Sequence, residues 1–306
     1  MLKSPLAGLA VLALVAGIFA TSFFTFSNES LLINLMAFLA LAQGINLLYG
    51  FTGYMPFGYV GFFGTGAYGC ALTILFLHWN PIAAVVAGGL SAVVLGVILV
   101  PLLRLEGAYF GIASLAAAQA AYEIISNPNL TSITQGPYGI NLGAVYAPTT
   151  GYWTMLGVLL FTTAIAAYFR ISRFGLSLMA IRDNSNSAAT AGVNVLRGRL
   201  IAWLLSCFIG GLAGGAFAWN ISFFYPQSVF ALTLSIFPIV FAVFGGVGTV
   251  IGPLIGAGLL YGLYDAVGVA NPEYFQLLYG LLIVALLLFM PGGLVSLAKK
   301  VRIHVF

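Results

Sequence analysis

Residues 81–103 read PIAAVVAGGLSAVVLGVILVPLL, an apolar run with no charged side chain that stops at Arg104. A helix rises 1.5 Å per residue, so about 20 residues cross the ~30 Å hydrocarbon layer of a bilayer, and this stretch is long enough to do so. Leu6–Phe26 reads the same way, and ten such segments stand end to end: 6–26, 31–50, 56–77, 81–103, 107–126, 152–169, 200–220, 229–247, 249–264 and 274–293. The composition of the 306 residues agrees, at 62% hydrophobic and 5% charged with a mean hydropathy of +1.11, where a soluble domain carries about 25% charge. A membrane β-barrel would show weakly alternating segments of about ten residues. Unbroken apolar runs leave helices, which satisfy their own backbone in lipid. The expected fold is all-α: a single polytopic bundle over 1–306 with about ten transmembrane helices.

Sidedness follows from the basic residues. With Lys3 inside, alternation through ten spans puts Arg104, the segment Arg170–Arg199 and the tail Lys299, Lys300 and Arg302 inside too, so all ten Lys and Arg share one face. Glu106 and Asp183 accompany them, while Glu29, Glu123, Asp265 and Glu273 lie on or near the outer side. The positive-inside rule is then met without exception and both termini are expected in the cytoplasm. Were the glycine-split pair 229–247 and 249–264 one broken segment, Lys299 and Lys300 would end outside, so two spans are expected. Segment 6–26 is longer than a signal-peptide core of about 7–15 residues and lacks a clear cleavage site, so it reads as a retained helix.

Several chemistries drop out. Lysine occurs only at positions 3, 299 and 300, so no GxxxxGK[ST] phosphate loop exists. His78, His304, Cys70 and Cys207 are too few and too scattered for a metal site or disulfide framework, and the cysteines read as packed thiols. His78 sits beside Trp79-Asn80-Pro81, a short turn at the membrane surface, which leaves no histidine for intramembrane proteolysis. The basic face is explained by topology and is no evidence for nucleic acid. Glycine is frequent, at 38 residues, with four-residue spacings at Gly210/Gly214, Gly211/Gly215, Gly248/Gly252/Gly256 and Gly258/Gly262. Such faces let helix backbones meet, either inside one subunit or at a subunit interface or broken helix.

The one large inward loop is 170–199. Asp183, Asn184 or Ser185 can cap a helix there, and Gly192 suits the left-handed residue past its end. That predicts a short helix with the small face Ser187, Ala188, Ala189 and Ala191, which is either an incidental part of a topogenic loop or a surface that another protein approaches closely.

The stretch GLSLMAIRD (175–183), followed by Ala188-Ala189 and Gly192-Val193-Asn194-Val195, resembles the cytoplasmic loop of the permease subunits of branched-chain amino acid ABC importers, the LivM type. LRLEGAYFGIASL (103–115), TQGPYGI (134–140), FGGVGTVIGP (244–253) and MPGGL (290–294) agree, in order, from about Leu31 to Leu297. The resemblance implies a multi-pass subunit of a bacterial or archaeal plasma membrane, surrounded by lipid. It would pair with a related permease, dock two cytoplasmic ATPases and receive solute from an extracytoplasmic binding protein. ATP-Mg would sit on the ATPases, so this chain would need no cofactor and would catalyse no reaction. The loop helix would be the coupling helix, with Arg182, Asp183, Ser187, Ala188, Ala189 and Gly192 at the family's positions. Asn184-Ser185-Asn186-Ser187 departs from the acidic and bulky residues usual there, which bears on the choice of ATPase.

An ionisable group inside a span is expensive and so marks a candidate site. Glu123, four residues after Gln119 near the outer end of the fifth span, is one, though a solvated helix end explains it as well. Asn46, with Asn34 and Gln43, lies in the second span and is either a path residue or an interhelical hydrogen-bonding group. Thr134, Gly136 and Pro137 in a rigid outer turn, with Glu273, are candidates for docking a binding protein. A self-sufficient ion-coupled carrier would place carboxylates near the midplane, and only Glu123 comes near that. Related urea and short-amide permeases resemble the chain nearly as well, so those solutes stay open beside hydrophobic amino acids.

Overall fold

The computed structural model describes residues 5–26, 28–265, 280, 281, 284 and 293–295, so the tenth predicted segment, 274–293, and the basic tail fall almost wholly outside the described residues. The chain runs α1 (Pro5–Thr25), α2 (Glu29–Ile45, continued by a π-helical turn Asn46–Gly50), α3 (Val60–Leu77), α4 (Pro81–Ile98), α5 (Ala108–Ile125), α6 (Thr131–Thr134), β1 (Ile140–Asn141), α7 (Pro148–Ile171), α8 (Arg173–Asp183), α9 (Ser185–Thr190), α10 (Val195–Ile221), β2 (Phe223–Phe224), α11 (Pro226–Val229), α12 (Thr233–Gly245) and α13 (Ile251–Leu263). Eight stretches among the described residues, seven from single helices and the eighth Pro226–Gly245, are long and apolar enough to cross a membrane, and α13 is a shorter apolar helix. The protein is a polytopic helical membrane protein.

Local chemistry sets the helix ends. Asn28 accepts from Leu31 N at 3.2 Å at the start of α2, Asn80 accepts from Ile82 N at 3.0 Å with Pro81 in the first helical position of α4, and Asn194 accepts from Arg197 N at 2.9 Å at the start of α10. Each satisfies an amide that the first turn leaves free. His78, Trp79 and Asn80 form an exposed turn between α3 and α4, with His78 left-handed at φ 51°.

The centre is α3, α4 and α10, which pack on one another more extensively than any other helices. Glycine makes this possible. A Cβ on Gly66 would strike the Gly211 backbone, one on Gly214 the Phe63 backbone, and one on Gly211 the Ala92 Cβ and the Gly88 carbonyl. The Gly210/Gly214 and Gly211/Gly215 repeats thus serve packing within the chain. Trp203, fully buried, stands edge-on to Phe62 (5.1 Å between centroids) and Phe110 (5.7 Å), and donates from Nε1 to the Gly96 carbonyl at 2.8 Å. Tyr59 Oη donates to Ser206 O at 2.7 Å, and Ser206 Oγ donates to Gly44 O at 2.8 Å, which ties α10 to α2 and to the loop before α3.

The helices α12 and α13 form an antiparallel hairpin around residues 246–250. Gly256 faces the Phe241 carbonyl and Gly245 faces the Gly252 carbonyl, so the two backbones touch where both sides are small. At 13 residues each, the helices rise about 20 Å. Gly258 and Gly262 have nothing within 4 Å of a would-be Cβ among the described residues. At the end of the bundle away from the 170–199 loop, β1 and β2 pair antiparallel, Ile140 with Phe224 and Asn141 with Phe223.

Candidate functional site

Among the described residues, Arg182 and Arg199 lie where the interhelical connections meet. Arg199 lies 4.8 Å over the Tyr54 ring and 3.8 Å from Glu106, and Tyr54 Oη donates to Leu103 O at 3.4 Å, so the connections 51–59 and 99–107 meet the start of α10. Burial raises the Tyr54 phenol above its ordinary value, against the opposing pull of Arg199, so it stays neutral at physiological pH.

The loop 172–194 is built against this face. Ser172 Oγ accepts from Gly175 N at 3.1 Å and opens α8, whose Leu178 and Ile181 are buried. Asn184 Oδ1 accepts from Ser187 N at 2.9 Å and opens α9, and Gly192, at φ 86°, closes it, with its own N–H donating to Ala189 O and that of Val193 to Ala188 O, both at 3.0 Å. The expected cap and terminator are therefore at Asn184 and Gly192. The small face is split, however. Ala188 turns inward and is 4% exposed, so it anchors α9 to the bundle, while Asp183, Asn186, Ser187, Ala189, Thr190 and Gly192 stay exposed. The six-residue helix presents Ser187 and Ala189 outward.

Arg182 is exposed as well, but its guanidinium reaches back to the bundle. Its Nη1 donates to the Gly50 carbonyl at 2.6 Å, at the end of the π-helical turn of α2, while Nε and Nη2 lie 3.4 Å from Asp183 Oδ1. Beside Gly50 lies the glycine turn of the α12–α13 hairpin. Asn46, fully buried, accepts from Gly248 N at 2.7 Å and donates to Thr249 O at 2.8 Å, and Gln43 Nε2 donates to Val250 O at 2.6 Å. Asn46 is thus committed to the hairpin turn, which fits the interhelical reading of that amide. Among the described residues, Asn34 bonds only Ser30 O in its own helix, at 2.9 Å.

Gln119 and Glu123 are both exposed on α5, where Gln119 Nε2 donates to Glu123 Oε1 at 2.9 Å. The opposite side of α5 packs on α3 and the loop before it, with Gly58 and Gly61 against Ser114 and Ala118. In the 126–147 loop, Thr134 is buried and donates to Ile125 O at 2.8 Å while accepting from Gly136 N at 3.2 Å, and Gly136 is buried at φ 54°. These two shape the turn, and Pro137 and Tyr138 are what it exposes. Glu273 lies outside the described residues. Gln43, Gly50, Tyr54 and Arg199 join the architecture of the basic face; the Lys/Arg pattern points to Arg199 and the amides of the second span point to Gln43, while no local signal gives the contacts of Gly50 or Tyr54.

Residues 27–287 match the family model described as branched-chain amino acid transport system / permease component. The high-affinity branched-chain amino acid transport system permease protein LivM of Escherichia coli K12 is 28% identical over 296 residues, 86% of this chain and 69% of that protein. The probable branched-chain amino acid transport permease protein LivM of Methanocaldococcus jannaschii is 26% identical over 70% of this chain and 67% of its own length. The L-arabinose ABC transporter permease protein AraH of Azospirillum brasilense is 26% identical over 66% and 61%. No solved structure matches the chain significantly. The match over residues 27–287, on a polytopic helical bundle, shows that this chain belongs to the family of branched-chain amino acid transport system permease components.

Proposed function

We propose that this chain forms one half of the translocation path of an ATP-driven importer in a bacterial or archaeal plasma membrane, carrying branched-chain or other hydrophobic amino acids inward. It pairs with a related permease, and two cytoplasmic ATPases hydrolyse ATP-Mg on its behalf, while a binding protein delivers solute from outside. The observation that carries this reading is the family match over residues 27–287. The apolar helices long enough to cross a membrane support it; a ten-span arrangement would put both termini and the 170–199 loop in the cytoplasm, where Ala189 and Ser187 on α9 offer a small, exposed, well-capped surface to an ATPase cleft. ATP closing the ATPases biases the permease pair between outward-open and inward-open states through differential contacts. The exposed Gln119–Glu123 pair supports a path along α5, since a charged side chain on a spanning helix avoids lipid and faces a partner or water. The outer turn carrying Thr134, Gly136 and Pro137, together with Glu273, meets the binding protein.

The test is purification of the chain from its native membrane in mild detergent, identification of the co-purifying proteins, and assay of ATP hydrolysis with branched-chain amino acids and with urea. A second permease and an ATPase, with hydrolysis raised by leucine, isoleucine or valine in the presence of the binding protein, support the proposal. Stimulation by urea alone would replace the solute. A chain that emerges alone and transports by itself would overturn the importer reading.

A further inference from the structure

The geometry points to Arg182 as a positioning residue that fastens the cytoplasmic loop to the glycine turn between α12 and α13, through the Gly50 carbonyl and the Asn46 amide, instead of as a residue that touches an ATPase. The inference rests on the importer reading and deepens it, because it says how a push on α9 reaches the spanning helices.

Four observations converge on one small volume. The carbonyl of Gly50 is among the orphan acceptors at the end of a helix, and the Arg182 guanidinium supplies its donor at 2.6 Å. A cation there also sits favourably at the negative end of the helix dipole. Second, Gly248 lies against the same carbonyl: its would-be Cβ is 3.1 Å from Gly50 O and 2.9 Å from Arg182 Nη1. Third, the turn is grasped at three consecutive residues, Gly248, Thr249 and Val250, by Asn46 and Gln43, which stand three positions apart on one face of α2. Fourth, α2 ends in a π-helical turn over Asn46–Gly50, a distortion that recurs at functional sites, and it is this turn that carries both Asn46 and the Gly50 carbonyl.

The mechanical consequence follows from the connectivity. The helix α9 is rooted in the bundle by Ala188 and continues from α8 with only Asn184 between them. A displacement of α9 therefore tilts α8, and Arg182, near its last turn, draws on Gly50 and on the hairpin turn held beside it. The α12–α13 turn cannot shift relative to α2 without breaking the Asn46 and Gln43 bonds, so the end of α2 and the hairpin move as one body. Arg182 is the only side chain of α8 or α9 for which the structure records a hydrogen bond to that body among the described residues.

The test uses the complete importer reconstituted in vesicles with its binding protein, comparing wild type with Arg182→Ala, Arg182→Gln and Arg182→Lys. The side chain is partly exposed, so these variants keep the core intact. The expected result is that Arg182→Ala and Arg182→Gln retain the ATPases at wild-type stoichiometry and keep basal hydrolysis within twofold. Solute transported per ATP should fall at least tenfold, and Arg182→Lys should recover part of it. Hydrogen exchange of residues 244–252 supplies a readout that a merely structural role would not move. In wild type it changes on trapping with ATP and vanadate, and in Arg182→Ala that change is lost. Loss of the ATPases from Arg182→Ala would show that Arg182 contacts them and overturn the inference. Wild-type coupling in Arg182→Ala would overturn it as well. Absence of any ATPase from the wild-type preparation would instead defeat the importer reading itself.

Discussion

Asn46→Ala is the perturbation whose size the structure fixes best. The amide is fully buried and serves two backbone groups of the hairpin turn, Gly248 N at 2.7 Å and Thr249 O at 2.8 Å. Interhelical side-chain hydrogen bonds in membrane proteins contribute about 0.6 kcal/mol on average and at most about 1.7, whereas a buried group stripped of its partner costs ~1–3 kcal/mol. The turn has little freedom to find new partners, because Gly246 and Gly248 hold positive φ angles of 116° and 76° and Thr249 Oγ1 is already bonded to Gly246 O. Each loss therefore falls near ~1.5 kcal/mol and the pair near ~3 kcal/mol. At about 2 °C per kcal/mol for a chain of this size, the midpoint of thermal unfolding in mild detergent should drop by about 6 °C. Asn34→Ala is the internal control, since it removes only a bond to Ser30 O within the same helix and should shift the midpoint by no more than about 1 °C. Equal shifts for the two variants would refute the claim that α2 holds the hairpin by its amides.

Two further outcomes follow from packing. Gly211→Val places its first carbon 2.5 Å from Ala92 Cβ and 2.7 Å from Gly88 O, so α4 and α10 must part; the cost exceeds ~3 kcal/mol, visible as loss of the monodisperse peak in fluorescence-detected gel filtration, while Gly258→Ala, with nothing within 4 Å of the new carbon among the described residues, leaves the profile unchanged. Trp203→Phe keeps the aromatic contacts with Phe62 and Phe110 but leaves the buried Gly96 carbonyl without its donor, lowering stability by about 2 kcal/mol in the same thermal assay.

Hydropathy located the helices well where lipid sets their length and less well where polar turns cap them. The expected segment 6–26 corresponds to Pro5–Thr25, but 152–169 extends back to Pro148 and 200–220 back to Val195, because Pro148 in the first turn and the Asn194 cap start helices in stretches too polar to register. The segment 56–77 begins only at Val60, after the loop 51–59 that carries Tyr54 toward Arg199. The split at Gly245–Gly248 was visible as glycine spacing, yet nothing local revealed that Asn46, some 200 positions earlier, binds that turn. The loop helix was legible because caps are local chemistry: Asn184 and Gly192 sit where their side chain and φ are needed. Which alanine faces the bundle was not legible, since Ala188 and Ala189 have the same chemistry and only tertiary packing separates them.

The most direct test of the central proposal is uptake of radiolabelled leucine by cells carrying the whole system, with Ala189→Glu in this chain and its amount in the membrane measured alongside. Ala189 is exposed on α9, so the variant should insert at the wild-type level. If α9 is the surface an ATPase grips, a bulky charge there abolishes uptake while insertion is unchanged. Undiminished leucine uptake with Ala189→Glu would contradict the account and mark the chain as a carrier that works without an ATPase.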